Sequence, residues 1–256
     1  MINILITGAN GQLASCIKDL ALNQTNLNFV YTDYLELNIC DLYQLSTFFE
    51  VNKIDYCINC AVYTDVDKAK TEKEKAFQIN AEESKNIAKV CALNNVILIH
   101  VSTDFVFDGQ KKQLYNKIDE ANPISIYGKT KQKGELEIIN ILKEHFIIRK
   151  SWLYSEHGNN FLKTILRLGE SCDEIKVVNN QICTPTYARD LAQVILKLVN
   201  SKVYGIYCST SEGVASWCDF AKAIFDISNV KVNVLPIRSE EYQALAMRRI
   251  YSVFDK

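Results

Sequence analysis

Ile2-Asn3-Ile4-Leu5-Ile6-Thr7-Gly8-Ala9-Asn10-Gly11-Gln12-Leu13-Ala14 opens the chain and decides its fold. Ile2 to Ile6 is a short, β-branched apolar run and reads as a buried parallel strand. Thr7 to Ala14 is a glycine turn, after which Ile17, Leu20 and Ala21 follow at helical spacing. Strand, glycine turn and helix in direct succession form the opening of a dinucleotide-binding unit. Gly8 permits the tight turn. Gly11 lets backbone approach a diphosphate at the helix N-terminus, where free N–H groups and the helix dipole favour anions. Ala14 takes the third, close-packing place of the pattern. A plain strand-to-helix turn would share these residues, so the rest of the chain must decide.

The next strand, Phe29 to Thr32, runs into Asp33. An acidic residue at the end of a second strand can accept hydrogen bonds from an adenosine ribose and repels a 2′-phosphate. That leans toward NADH, although a lysine from elsewhere could admit NADPH. A helix is predicted over Asp41 to Asn52 with Asp41 as its cap. A third strand spans Ile54 to Cys60 and leads into Ala61-Val62-Tyr63-Thr64-Asp65, at the strand end where open α/β sheets bind ligands. Glu72 to Asn94 reads as one long helix. Val96 to Val101 is a fourth strand, apolar apart from His100, and continues into Ser102-Thr103-Asp104-Phe105-Val106-Phe107-Asp108-Gly109. A polar connection, Gln110 to Ile126, precedes a helix starting near Tyr127. Phe146 to Arg149 is a fifth strand. This alternation predicts an α/β, Rossmann-type, doubly wound parallel sheet with helices on both faces.

Past Lys150 the regularity weakens. Helices are predicted over Phe161 to Leu168, Ala188 to Val199 and Trp217 to Ile227, and strands over Ile175 to Val178, Gly205 to Cys208 and Val232 to Leu235. We therefore expect residues 1–150 to form the cofactor-binding domain. Residues 151–256 would form mostly a smaller, C-terminal substrate-binding lobe, with about 187–208 returning to the core.

Tyr127-Gly128-Lys129-Thr130-Lys131 places a tyrosine and a lysine one turn apart on a helix face. An ammonium beside a phenol favours the phenolate, so Lys131 is expected to lower the Tyr127 pKa and make it a general acid near neutral pH. On spacing alone, an exposed helix start with a chance tyrosine and a solvated lysine is the favoured reading.

The chain has 256 residues, 48% apolar and 23% charged, with a net charge of −1, which suits a soluble globular protein and no nucleic-acid partner. No apolar run reaches the roughly 18 residues of a membrane span. The first strand begins at once, with no basic segment before it, so no secretory signal is expected and the reading is cytoplasmic. Nine cysteines are scattered along the chain; in that compartment they read as reduced, buried small residues. Cys57 and Cys60 lie three apart on a strand and point to opposite faces. His100, His145 and His157 show no ligand spacing, and no metal is expected.

With these residues located, the chain resembles the extended short-chain dehydrogenase/reductase family. The likeness spans nearly all of it, and within that family it is strongest to enzymes acting on nucleotide-linked 4-keto-6-deoxysugars. It rests on the Ile6 to Leu13 turn, on Asn59-Cys60-Ala61-Val62-Tyr63-Thr64 with Val66-Asp67-Lys68-Ala69, and on Ser102 to Gly109. Tyr127 to Lys131, Ser151-Trp152-Leu153-Tyr154, Gly158-Asn159-Asn160-Phe161, Asn180-Gln181, Thr184-Pro185-Thr186 and Tyr251-Ser252-Val253 continue it. The glycine turn and the Tyr/Lys pair are shared across the family. The Ser102 to Gly109 and Gly158 to Phe161 blocks are much more specific.

The resemblance implies that NADPH or NADH is held by Gly8, Gly11, Gln12, Leu13, Asp33, Asn38, Ile39, Val62, Tyr63, Thr64, Tyr127 and Lys131. It implies a catalytic trio of Thr103, Tyr127 and Lys131, with Thr103, Asp104 and Trp152 contacting a nucleotide-sugar substrate. Trp152 also reads as a lobe-packing aromatic. The implied reaction is reduction of a sugar C4 ketone, with dTDP-4-dehydro-L-rhamnose as substrate. A reductase or epimerase of another nucleotide sugar, or a non-catalytic cofactor-binding subunit, stays open; so does the oligomeric state, a homodimer included. Four departures stand out: Ala14 for glycine, Asn38 where an acid is frequent, Arg249 for a proline after Arg248, and Cys16. Cys16 stands where some members carry a glutamate that helps magnesium bridge a dimer, hence no such metal is expected. The chain ends at Lys256, ahead of a final helix that the resemblance leads one to expect.

Overall fold

The computed structural model describes residues 1–255. Its first half supplies strands β1 (Ile2–Thr7), β2 (Leu27–Thr32), β3 (Tyr56–Asn59), β4 (Ile97–Thr103) and β5 (His145–Lys150). Helices α1 (Gln12–Ala21), α2 (Leu42–Asn52), α3 (Lys73–Phe77), α4 (Glu83–Asn94) and α5 (Ile126–Ile141) connect them. The second half adds β6 (Leu153–Tyr154), α6 (Phe161–Gly169), β7 (Glu174–Val178), β8 (Ile182–Cys183), β9 (Thr186–Tyr187) and α7 (Ala188–Leu198). It ends with β10 (Gly205–Cys208), β11 (Ala215–Ser216), α8 (Trp217–Ser228) and β12 (Asn233–Ile237). One six-stranded sheet runs in the order β2-β1-β3-β4-β5-β10, all parallel.

Both faces of that sheet are covered, which is why its strands read as mostly apolar runs rather than strictly alternating ones. Ile4 and Ile6 join one core with Leu13 and Ile17 of α1 and Leu191 and Ile195 of α7. Leu5 points the other way, to Leu45 and Phe49 of α2, Ile87 and Val90 of α4 and Ile138 of α5. Each such side chain contributes about 1.5–3 kcal/mol on burial. Cys57 belongs to the second core while Cys60 packs on the first, and all nine cysteines are free.

Strand order reverses at β1, with β2 on one side and β3 on the other. The crevice beyond the C-terminal ends of the strands at such a point is where ligands bind in open α/β sheets. The expected helix over 72–94 is interrupted by a π-helical turn, Gln78–Glu82. The wide turn aims Asn80 inward. Its Oδ1 accepts from Tyr63 N at 2.9 Å, and its Nδ2 donates to Tyr63 O at 3.1 Å and Thr130 Oγ1 at 3.0 Å. A hydrophobic pattern cannot reveal that bulge, because the need it meets is the unpaired backbone of a distant loop.

The second half divides its contacts. α7 and β10 return to the main sheet, β10 pairing with β5. α6, α8 and the parallel β7/β12 pair build a separate core of Ile165, Ile175, Val177, Ala221, Ile224, Phe225 and Val234. Ser216 and Asp219 form a reciprocal capping box on α8. The polar 110–126 connection is pinned by the last residues: Tyr115 N donates to Val253 O at 2.8 Å and Asp255 N to Tyr115 O at 2.7 Å. Among the described residues no helix is long and apolar enough to cross a membrane.

Candidate active site

A cleft of about 1020 Å³ opens over the C-terminal ends of β1, β3 and β4 and continues under the α6/α8 lobe. That is at the upper end of small-molecule pockets. Gly8, Gly11, Gln12, Leu13, Asp33, Ile39, Val62, Thr64, Thr103, Asp104, Tyr127, Lys131 and Trp152 all line it. Of the residues expected at the site, Asn38 and Tyr63 stand outside this wall. Asn38 turns its Oδ1 back onto Cys40 N at 3.0 Å. Tyr63 donates its hydroxyl to Glu72 at 3.2 Å.

The glycine turn has the geometry a dinucleotide needs. Gly8 has φ +65°, and a Cβ there would lie 2.7 Å from the Ala61 backbone. The N-cap of α1 is Gly11, with no side-chain cap and no acid in the first turn, so its first N–H groups are free for an anion. Asp33 closes the turn, accepting from Asn10 N at 3.0 Å and Tyr34 N at 2.8 Å. Gln12 is clasped by the Gly158–Phe161 block: Asn160 Nδ2 donates to its Oε1 at 2.8 Å, and Gln12 Nε2 donates to Asn159 O at 3.4 Å. Asn160 also caps α6, accepting from Lys163 N. These contacts tie the lobe to the turn. The Gly8→Ala variant is expected to lose about 1–3 kcal/mol from left-handed strain and crowding, read as a lower urea midpoint.

Ser125 caps α5 by accepting from Gly128 N at 3.1 Å, so the helix begins just before Tyr127. Gly128 is required there, since a Cβ would sit 2.2 Å from Phe105 O. The absence of that Cβ lets α5 press against the Asp104–Val106 turn. The Tyr127 ring meets Phe105 edge-on at 5.2 Å, and both Tyr127 and Thr103 face the cleft. Tyr127 is 4% exposed and Lys131 1%.

The electrostatics differ from the sequence expectation. Burial pushes the Tyr127 phenol up to about 12; Thr103 pulls it down, Asp104 adds to the rise and Arg249 opposes it. Lys131 has no part in this balance. Its Nζ lies 3.0 Å from His100 Nε2 and donates to Val101 O at 2.8 Å. Burial lowers Lys131 to about 7, against the upward pull of Glu135. The expected depression of the phenol is therefore absent, because desolvation outweighs charge and the amine is turned onto β4.

Asp104 is not a free sugar contact in this structure. Its Oδ1 accepts from Thr103 Oγ1 at 3.1 Å, and its Oδ2 accepts from Ser252 Oγ at 2.8 Å and pairs with Arg249 Nη2 at 2.8 Å. Arg249 stacks its guanidinium 3.6 Å above the Phe105 ring and lines the cleft. Arg248 reaches Asp67 at 2.6 Å, which ties the last segment of the chain to the Val66–Ala69 block. Trp152 has φ +40° and stacks on Trp217 with ring centroids 3.6 Å apart; both line the cleft. Sequence reasoning missed Arg249, Trp217, Lys150 and Glu83 as cleft residues. Only Arg249 left a signal, as a departure from a proline. Cys16 brings its thiol within 4.8 Å of Glu156 and His157, whose Nε2 is 2.7 Å from Asp19.

Comparison with known proteins agrees with this geometry. Residues 2–256 match the family described as RmlD substrate binding domain. A dTDP-4-dehydrorhamnose reductase from Aggregatibacter actinomycetemcomitans is 36% identical, covering 100% of this chain and 91% of that protein. The crystal structure of a dTDP-4-dehydrorhamnose reductase from Clostridium acetobutylicum is 41% identical, with TM-score 0.97 over 99% of this chain and 90% of that one. The enzyme of the same name from Bacillus anthracis, solved in complex with NADP, is 40% identical, with TM-score 0.97 over 100% and 91% of the two chains. The chain belongs to the RmlD substrate binding domain family, a group of the extended short-chain dehydrogenase/reductases.

Proposed function

We propose that the protein reduces the C4 ketone of dTDP-4-dehydro-L-rhamnose to dTDP-L-rhamnose, using NADPH or NADH. One observation carries the reading. Thr103, Tyr127 and Lys131 line the same cleft as the Gly8–Leu13 turn, at the strand-order reversal of the sheet. The relatives' substrate supplies the sugar.

The residues present fit a nicotinamide dinucleotide. The open backbone of Gly8 and Gly11 and the uncapped start of α1 would hold its diphosphate, and Asp33 with Ile39 its adenosine end. Val62 and Thr64 would flank it beyond β3, and Lys131 would reach the nicotinamide side. The cofactor, when bound, supplies the hydride that reaches the sugar C4. Tyr127 then gives its phenolic proton to the ketone oxygen. Thr103 donates to the same oxygen and fixes its direction. Trp152 and Trp217 form an aromatic wall for the sugar. In the ligand-free protein Asp104, held by Arg249 and Ser252, accepts a hydrogen bond from the Thr103 hydroxyl, which turns from Asp104 to the ketone oxygen when the sugar binds.

We place the cofactor domain at residues 1–150 and the substrate lobe in 151–256, with about 187–208 returning to the core, since β10 pairs with β5 while α6 and α8 share their own core. A cytoplasmic setting suits nine free cysteines.

The test is a panel of dTDP-, UDP-, GDP- and CDP-linked 4-ketosugars, each offered with NADPH and with NADH. Oxidation of the cofactor is expected with the dTDP substrate. No turnover of any sugar by protein that still binds cofactor would refute catalysis and leave a binding subunit.

A further inference from the structure

A line of hydrogen bonds runs beneath the cleft through Thr7, Asn59, His100 and Lys131, and its donors and acceptors fix a charge state. Ala61 N donates to Asn59 Oδ1 at 3.1 Å, and Thr7 Oγ1 donates to the same oxygen at 2.7 Å. A backbone N–H can only donate, so Asn59 cannot be turned the other way round. Its Nδ2 therefore faces His100 Nδ1, 3.2 Å away. An amide NH2 also only donates, which makes Nδ1 a bare acceptor. The ring must be neutral and must carry its proton on Nε2. That N–H points at Lys131 Nζ, 3.0 Å away. An ammonium cannot accept there, whereas a free amine can, while still donating to Val101 O at 2.8 Å.

We propose that His100 is a positioning residue for Lys131. Its Nε2–H holds the lysine as a neutral amine, turned away from Tyr127, until a ligand enters the cleft. When Nζ takes a proton from solvent, the lone pair that accepted from Nε2–H becomes an N–H bond. The two groups then face each other as donors, and the ammonium swings off His100 toward the cleft while keeping Val101 O within reach. Binding of an anionic dinucleotide and charging of Lys131 thus become one coupled event. The inference rests on the reading of Lys131 as the active-site lysine.

The surroundings agree. Burial pulls His100 well below its usual range, with Lys131 and then His145 adding to the fall. Lys131 itself sits at about 7, where an incoming negative charge can tip it. The titratable groups that face it are His100 on β4, Glu83 on α4, Glu135 on its own helix and Lys150 on β5. The two acids raise Lys131 and Lys150 lowers it. Glu83, a cleft residue, is itself raised to about 7 by burial.

Two measurements test this without relying on turnover. Imidazole nitrogen NMR of the ligand-free protein is expected to show His100 protonated on Nε2 only and unchanged from pH 5 to 9. A proton on Nδ1 would overturn the proposal. NADPH titrations by calorimetry, in buffers of different ionisation heat, are expected to show proton uptake at pH 8 that fades toward pH 6. In His100→Gln, the amide oxygen can accept from an ammonium. In Asn59→Asp, the new carboxylate draws the ring proton to Nδ1 and leaves Nε2 an acceptor. Both should bind NADPH with no uptake at pH 8. In both, the alkaline limb of kcat/KM should move up by about one pH unit or more. Uptake absent in the wild type, or equal in the variants, would sink the idea. NADPH binding does not depend on which sugar is reduced, so this outcome is separable from failure of the catalytic reading.

Discussion

Tyr127→Phe lowers kcat by about 10²–10⁴-fold, the range in which a positioned general acid contributes, while NADPH binds nearly as tightly as before. The expectation follows from geometry. Tyr127 is the buried hydroxyl that lines the cleft beside Thr103, and its ring is held independently of that hydroxyl, edge-on to Phe105 at 5.2 Å. Phenylalanine keeps the packing and removes only the proton. Thr103 remains to polarise the ketone, and water can donate slowly, so a residual rate should survive. Stopped-flow reduction of dTDP-4-dehydro-L-rhamnose separates the chemical step from binding. A Tyr127→Phe enzyme within a few-fold of wild type would remove the tyrosine from the mechanism. The pH profile carries a second sign. With the phenol held up at about 12, it stays protonated throughout an ordinary assay range. Activity should therefore show no tyrosine limb between pH 6 and 9. A loss as pH rises in that window belongs to Lys131, whose charged form disappears above about 7 in the ligand-free protein.

How much of this was legible in the sequence differs from level to level. The sheet was almost fully readable, because Ile2–Ile6, Val96–Val101 and Phe146–Arg149 are short, mostly apolar runs that alternate with helical patterns, as doubly covered parallel strands do. The glycine turn was readable because Gly8 and Gly11 answer local backbone needs. The Tyr127/Lys131 pair was readable as an address on a helix, but not in its charge state. One-turn spacing brings two side chains near each other. It does not say that Lys131 Nζ is drawn instead to His100 and Val101, nor that burial outweighs the charge. His100 looked like the single polar interruption of an apolar strand. Its meaning appears only when β3 and β4 pair Asn59 with His100. Arg249 was equally hidden, since its partner Asp104 lies 145 residues earlier and they meet only when the last segment folds across the cleft. The Gly158–Phe161 block was seen as a signature. That it clasps Gln12 could not be seen, because such a contact depends on how the lobe meets the turn.

Arg149→Ala should cost about 3–5 kcal/mol of stability, the usual penalty for stripping one partner from a buried ion pair, against a total of roughly 5–15 kcal/mol for a native protein. Arg149 on β5 grips Glu135 on α5 with both ends of its fork, Nη2 to Oε2 at 2.7 Å and Nε to Oε1 at 3.1 Å. Ser102 of β4 donates to the same carboxylate. The side chains are 5% and 2% exposed, so removing the guanidinium leaves a carboxylate with almost no water and one hydroxyl donor. Its pKa should then rise in the folded state. A raised carboxyl gives stability below its unfolded pKa and loses it as pH climbs through the folded value, so the variant's deficit should shrink toward acid pH. Urea unfolding at several pH values reads both effects. Replacing the pair together, as Glu135→Leu with Arg149→Met, is expected to recover most of the loss, since desolvating two charges largely offsets their attraction. Catalysis should not recover in parallel. Glu135 sits one turn beyond Lys131 on α5, and Ser102 immediately precedes Thr103. The pair therefore sets the helix carrying the acid and the lysine against the strand carrying Thr103. If the double variant regains stability and full kcat together, the pair is only structural and the alignment role is wrong.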